Sequence, residues 1–337
     1  MEVAILGATG LVGQTFVKLL ENHPWFEIKH LIASKRSEGK RFKEVATWNV
    51  SDEIGEIKIE SLDDFLKSPD VDLVFSALPS SVAKEVEEKL AKKVPIFSNA
   101  SSHRYEEDVP ILVPEVNGDH LGLIEVQREK RNWEGFIVTN PNCSTAILVL
   151  SLKALEQFEI KSVNVATMQA ISGAGFSGVS AMQIFDNIIP YIEKEEWKIE
   201  NESRKILGKL EGNKIIPANF EITALTTRVP VLHGHTESVF IEFEEDAEAE
   251  ELKETLEKFN PLEKLNLPTA ERPIAYKEIP QLRFHRDLGI GMTVVVGRLE
   301  KVKAKKFKYI TLGHNLVRGA AGGSILNAEL AYKRGFL

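Results

Sequence analysis

The stretch MEVAILGATGLVGQTFVKLLE, residues 1–21, decides the fold. Residues Glu2 to Leu6 form a short apolar strand, a glycine-rich turn follows, and a helical pattern runs from Val12 to Glu21. The turn reads Gly7-Ala-Thr-Gly10-Leu-Val-Gly13, a G-x-x-G-x-x-G spacing with Thr9 before the second glycine. A strand that opens a helix through such a turn is the setting in which a dinucleotide's pyrophosphate binds. Glycines permit the tight bend and a close backbone approach, and the helix N-terminus supplies N–H groups. A plain strand-to-helix turn has the same local pattern, so the glycines alone are a weak signal; their place directly after the first strand strengthens it. Gly7, Thr9, Gly10, Leu11, Val12 and Gly13 are the expected pyrophosphate cradle.

Working outward, a second apolar run from Ile28 to Ala33 closes a strand–helix–strand unit. The loop after it is Ser34-Lys35-Arg36-Ser37, with no acid before Glu38. An acid at this position would accept the ribose hydroxyls of NAD, whereas basic and hydroxyl groups accommodate the 2′-phosphate of NADP. A solvated surface loop is the bland alternative; the four donors favour NADP. Further strands are expected at Val71–Leu78, Pro95–Asn99 and Phe136–Asn140, with a helix over Val82–Lys92. Strands alternating with helices give a doubly wound parallel sheet. Beyond residue 140 the texture changes. Helices Ala146–Phe158 and Glu248–Phe259 accompany strand patterns at Val163–Ile171, Thr223–Pro230, Glu237–Phe243 and Met292–Leu299, which suggest much antiparallel pairing. The fold class is therefore α/β, with a Rossmann-type domain at 1–140 and an α+β domain for catalysis and dimerisation at 141–314. A helix within 315–337 is expected to return to the first domain. The charged runs Glu193–Lys198 and Glu244–Glu254 read as solvated helix faces.

Bulk properties narrow the function. The 337 residues suit two domains, and 43% hydrophobic with 27% charged residues is an ordinary globular mix. A net charge of −8 argues against a nucleic-acid binder that works by neutralising phosphates. No run of apolar residues is long enough to span a membrane, and the N-terminus lacks a signal-peptide layout. A single cysteine excludes an internal disulfide and points to a reducing, cytoplasmic setting. No metal site is expected.

That cysteine, Cys143, stands in Asn140-Pro-Asn-Cys-Ser-Thr145, between a strand and a helix. A lone cysteine is usually a small buried hydrophobe. Here it is flanked by polar residues at a helix N-terminus, where the macrodipole should lower its pKa and free N–H groups could stabilise an oxyanion. A thiolate nucleophile needs a proton-transfer partner. Of eight histidines, His233 and His235 in Arg228-Val-Pro-Val-Leu-His-Gly-His stand out. If that stretch is extended, residues two apart share a face and both could enter one site; spacing alone does not choose between them.

These segments, with Ser98-Asn-Ala-Ser-Ser-His-Arg104, Val113-Pro-Glu-Val-Asn117, Gln169-Ala-Ile-Ser-Gly-Ala-Gly175 and Gly319-Ala-Ala-Gly-Gly323, resemble the aspartate-β-semialdehyde dehydrogenase family over essentially the whole chain. The resemblance implies Cys143 as nucleophile, His235 as acid/base catalyst and Gln169 as the residue orienting the intermediate. It assigns Arg228 to the substrate α-carboxylate, and Arg104 and Asn142 to the phosphate. Glu196 and Lys198 become a further substrate-binding pair, with Glu195 as the alternative acid. Ser172, Gly173, Asn315 and Gly319 would line the nicotinamide pocket. The implied reaction is NADPH-dependent reduction of L-aspartyl-4-phosphate to L-aspartate-4-semialdehyde through a Cys143 thioester, feeding lysine (through diaminopimelate), threonine and methionine synthesis. A homodimer or homotetramer is implied. Rival readings are a malonyl-CoA reductase, an N-acetylglutamyl-phosphate reductase, whose Pro-Gly-Cys type motif is absent here, and a non-catalytic NADP sensor. A sensor has no reason to keep Cys143, Gln169, Arg228 and His235 together.

Overall fold

The computed structural model describes residues 1–46 and 51–337. Its first sheet contains β1 (Glu2–Leu6), β2 (Glu27–Ala33), β3 (Ile59–Ser61), β4 (Leu73–Ser76), β5 (Ile96–Ser98) and β6 (Ile137–Thr139). All are parallel, in the order β3-β2-β1-β4-β5-β6. Every residue of β4, β5 and β6 is buried, as parallel strands covered on both faces require. The strand order reverses between β1 and β4, which leaves a crevice at their carboxyl ends. One apolar layer on this sheet holds Phe16, Phe75 and Phe97 with Ile325 and Leu326 of the last helix, Gly322–Lys333; the other holds Leu6, Val74, Ile96 and Ile137. The short β3 was not anticipated, because Ile59 is its one apolar residue.

A second sheet is built from β7 (Ile160–Gln169), β10 (Glu221–Arg228), β11 (His235–Phe243), β12 (Ile274–Tyr276), β13 (Val294–Lys303) and β14 (Lys306–Gly313), with β8 (Lys209–Glu211) and β9 (Lys214–Ile216) forming a separate hairpin. The order is β10-β7-β11-β14-β13-β12. Pairing is antiparallel through the centre and parallel at both edges, β10 with β7 and β12 with β13. Strand β14 was missed in the sequence, where its lysines mask the alternation that buries Phe307, Tyr309 and Thr311.

The two sheets meet around the helix Cys143–Ala154, whose residues are buried on every side except at Lys153 and at Cys143 itself. A helix apolar around its circumference belongs inside the protein, and Ile147, Leu148, Val149 and Leu152 join the core of the second sheet. The opposite face of that sheet leaves Leu225 and Phe240 exposed, and beside β10 the segment with Met182, Phe185 and Ile188 is exposed too. Among the described residues no helix is long and apolar enough to cross a membrane.

Candidate active site

The turn after β1 is as tight as its glycines suggest. Gly7 has φ +77°, and a Cβ on Gly13 would lie 2.1 Å from the Gly7 carbonyl oxygen. The helix Leu11–Leu20 begins at Gly10 without any side-chain cap, so its first N–H groups remain available. Gly10, Leu11 and Val12 line one end of a 480 Å³ cavity at the carboxyl ends of β1 and β4. A free helix N-terminus facing a cleft fits the pyrophosphate of a dinucleotide. The loop Ser34–Ser37 lies outside this cavity, at the end of the neighbouring β2, and closes through the Ser37 N–H to the Ser34 carbonyl. Its Lys35 ammonium sits 3.0 Å from Asp63, while Arg36 is exposed.

Cys143 lines the same cavity. Its helix starts three residues earlier than the sequence suggested, because Asn142 caps it: Oδ1 accepts the N–H groups of Ser144 and Thr145. The cap has a chemical consequence. Those two N–H groups are occupied and the Asn142 N–H donates to Glu202, so the pool of free backbone donors expected beside the sulfur is reduced. The thiol also departs from expectation. Burial, with the Glu195 carboxylate adding to it, pushes Cys143 up to about 12, and the charges of Arg228 and Arg104 only partly oppose this.

The histidine ambiguity is resolved by Gly234. Its φ of +91° breaks the extended run, so His233 and His235 do not share a face. His235 begins β11, is fully buried and places Nε2 3.0 Å from the Cys143 sulfur. The Ala170 N–H donates to its Nδ1, which leaves the ring proton on the nitrogen that faces sulfur. Burial pulls His235 down to about 3, against the Glu195 carboxylate, which favours its charged form. His233 instead stacks on His314, with ring centroids 5.8 Å apart.

The acidic run expected to be a solvated face is the opposite at one edge. In the helix Glu195–Ile206, residues 195, 198 and 202 share a face at helical spacing and turn inward. Glu195, not Glu196, reaches the cavity: its carboxylate accepts from Asn142 Nδ2 at 2.7 Å and lies 3.3 Å from the Lys198 ammonium. Burial alone would raise the Glu195 carboxyl, but the Lys198 charge and the Asn142 hydrogen bond hold it below the usual range. Glu196 lies one position further round the helix and accepts the Thr226 N–H of β10. Of the two candidate acids, the structure sets Glu195 in the cavity wall and Glu196 against β10.

Arg104 and Arg228 both line the cavity. Arg228 ends β10 and donates to the Ala170 carbonyl at 2.8 Å; Arg104 donates to the Asn99 carbonyl and to Glu202. Gln169 closes β7, fully buried, and donates to the Thr167 hydroxyl at 3.2 Å, behind the lining of the cavity. Ser172, Gly173, Asn315 and Gly319 come together beside Cys143: Asn315 donates to the Ser172 hydroxyl and accepts from the Gly234 N–H. A Cβ on Gly319 would lie 2.7 Å from the Cys143 Cβ, so this position must lack a side chain. Glu202 escaped the sequence reading because nothing local marks one glutamate in a charged helix as buried.

Comparison with known proteins agrees with this arrangement. Residues 2–124 match the family description "Semialdehyde dehydrogenase, NAD binding domain", and residues 152–318 match "Semialdehyde dehydrogenase, dimerisation domain". An aspartate-semialdehyde dehydrogenase of Archaeoglobus fulgidus is 51% identical over 98% of both chains. The NADP malonyl-CoA reductase of Metallosphaera sedula is 40% identical over 100% of this chain and 98% of its own. The crystal structure of aspartate semialdehyde dehydrogenase with NADP from Candida albicans superposes with a TM-score of 0.91 at 36% identity, covering 100% of this chain and 99% of that one. With a doubly wound sheet leading to a cysteine–histidine pair at a cavity, and with this likeness along its whole length, the chain belongs to the aspartate-semialdehyde dehydrogenase family.

Proposed function

We propose that the protein is an NADP-dependent aspartate-semialdehyde dehydrogenase, which reduces L-aspartyl-4-phosphate to L-aspartate-4-semialdehyde and releases phosphate. The observation that carries this reading is the Cys143–His235 contact of 3.0 Å, set in the wall of a cavity that also holds the glycine turn and two arginines. Gly7, Gly10 and Gly13 with the helix start would hold the pyrophosphate, Arg36 and its neighbours the 2′-phosphate, and Ser172, Gly173, Asn315 and Gly319 the nicotinamide end. When bound, NADPH supplies the hydride that reduces the acyl group carried by the enzyme.

The protein's own residues supply the rest. Arg228 holds the substrate α-carboxylate, and Glu195 faces its ammonium group. Arg104, Asn142 and Lys198 receive the phosphate. The Cys143 sulfur attacks the acyl carbon and the carbon–oxygen bond to phosphate breaks, leaving a thioester while the thiol proton departs with phosphate. As the thiol ionises for attack, His235 Nε2–H hydrogen-bonds the forming thiolate, and Gln169, from behind, orients the acyl group. After reduction the carbon–sulfur bond breaks, the semialdehyde leaves, and the sulfur takes up a proton from solvent while the His235 Nε2–H holds it in place.

The order of residues along the chain supports two domains, 1–140 with the last helix and 141–314. The exposed apolar side chains Leu225 and Phe240 on the second sheet, within the segment matched as a dimerisation domain, support a homodimer through that face. The use of the single cysteine as a nucleophile, with no disulfide, supports a reducing, cytoplasmic setting. The test is an assay of the purified protein with aspartate semialdehyde, phosphate and NADP. Phosphate-dependent NADP reduction is the expected result; turnover of malonyl-CoA alone would place the protein with the reductase relative instead.

A further inference from the structure

We propose that Glu202 positions the phosphate-binding edge of this site, by fixing Arg104 and the backbone before the nucleophile to one buried carboxylate. Glu202 is fully buried, and an ionised carboxylate there needs partners. It has three, from two other segments of the chain. Oε1 accepts from Arg104 Nη1 at 3.0 Å and from the Tyr105 hydroxyl at 2.9 Å; Oε2 accepts from the Asn142 N–H at 2.6 Å. The first two donors follow β5 of the first sheet, the third precedes the Cys143 helix, and Glu202 itself belongs to the helix that carries Glu195 and Lys198.

The contacts define which part of Arg104 is left for a ligand. One Nη1 hydrogen is held by Glu202, one Nη2 hydrogen by the Asn99 carbonyl, and the buried Nε has no protein partner. Arg104 lines the cavity, and its unused Nη hydrogens are the donors left for phosphate oxygens. Glu202 does not line the cavity, so it touches neither substrate nor cofactor and acts through Arg104 and Asn142. A glutamine in its place could not accept at both positions: its amide group would meet either Arg104 or the Asn142 N–H donor to donor.

This inference rests on the reading that Arg104 holds phosphate, and the test separates the two. The purified full-length enzyme is assayed at saturating aspartate semialdehyde and NADP with varied phosphate, for wild type, Glu202→Gln, Arg104→Ala and the double variant. Glu202→Gln should raise KM for phosphate about tenfold, the effect of one charge-assisted hydrogen bond, while KM for NADP stays within about twofold. The double variant should be no worse than Arg104→Ala alone, as expected when one residue acts through the other. An unchanged phosphate KM in Glu202→Gln, or losses that add in the double variant, overturns the positioning role. If Arg104→Ala leaves phosphate KM unchanged, the assignment of Arg104 is what fails, and with it the route by which Glu202 acts. Should Glu202→Gln not fold, Tyr105→Phe removes one hydrogen bond and no charge; a rise of about two- to fivefold in phosphate KM alone supports the role, and no rise refutes it.

Discussion

Two of the strand-to-helix junctions that line the cavity, β1 into Leu11–Leu20 and β6 into Cys143–Ala154, differ in how they use their backbone donors. At the first, Gly10 precedes the helix Leu11–Leu20, no side chain caps it, and the cavity opens onto the helix start. At the second, Asn142 caps the helix Cys143–Ala154, and its own N–H is held by Glu202. A free N-terminus attracts an anion through the backbone. A capped one leaves charge recognition to side chains, here Arg104, Lys198 and Arg228. The difference suits the task at each junction. On the proposed reading, the first would hold a pyrophosphate through its backbone, whereas the second keeps one sulfur in register with His235.

Substitutions can break or sharpen this contrast. The largest effect is expected for Cys143→Ala, which should lower kcat by roughly ten-thousandfold or more while the first junction still binds NADP with unchanged affinity. A rate near wild type would remove the covalent route. Gly319→Ala comes next, because the new methyl meets the Cys143 Cβ at 2.7 Å and must push the last helix or the sulfur aside. A displacement on the order of 1 Å costs roughly a hundredfold in kcat, and steady-state kinetics with a normal melting temperature would show it; a wild-type kcat would mean the helix yields freely. At the first junction, Arg36→Ala should weaken NADP about tenfold and leave NAD unchanged, as loss of a phosphate contact predicts. Lys35→Ala should do less, since that ammonium is shared with Asp63. Equal losses for both cofactors would contradict the 2′-phosphate assignment.

The smallest expected effect concerns the thiol itself. The Glu195 carboxylate adds to burial in raising Cys143, so Glu195→Gln removes a negative charge and favours the thiolate. The midpoint for alkylation of Cys143 should therefore move to lower pH, by about one unit. A shift to higher pH would show that the lost Asn142 and Lys198 contacts matter more than the charge.

Much of the fold was legible because it depends on neighbours in sequence. The strand Glu2–Leu6 emerged with the expected bounds, since a continuous apolar run followed by glycines has few other uses. Strand β14 was not legible, because Lys306 and Lys308 alternate with Phe307 and Tyr309 and the charged partners dominate the run. In the site, the cysteine, the two arginines and the residues around Gly319 were identified from the chain and from its family resemblance, and the structure gathers them in one cavity.

The amino-acid order alone determined where a turn must be glycine, where a thiol meets a helix start, and which loop is basic, because these are properties of a few consecutive residues. Tertiary structure decided the rest: that Glu195 rather than Glu196 faces inward, that His235 rather than His233 meets sulfur, that Glu202 is buried, and that burial with the Glu195 carboxylate raises the Cys143 thiol. Each of these turns on the phase of a helix, the sign of one φ angle, or the packing of segments sixty or more residues apart. Such quantities are set by distances through space, which a local pattern does not contain.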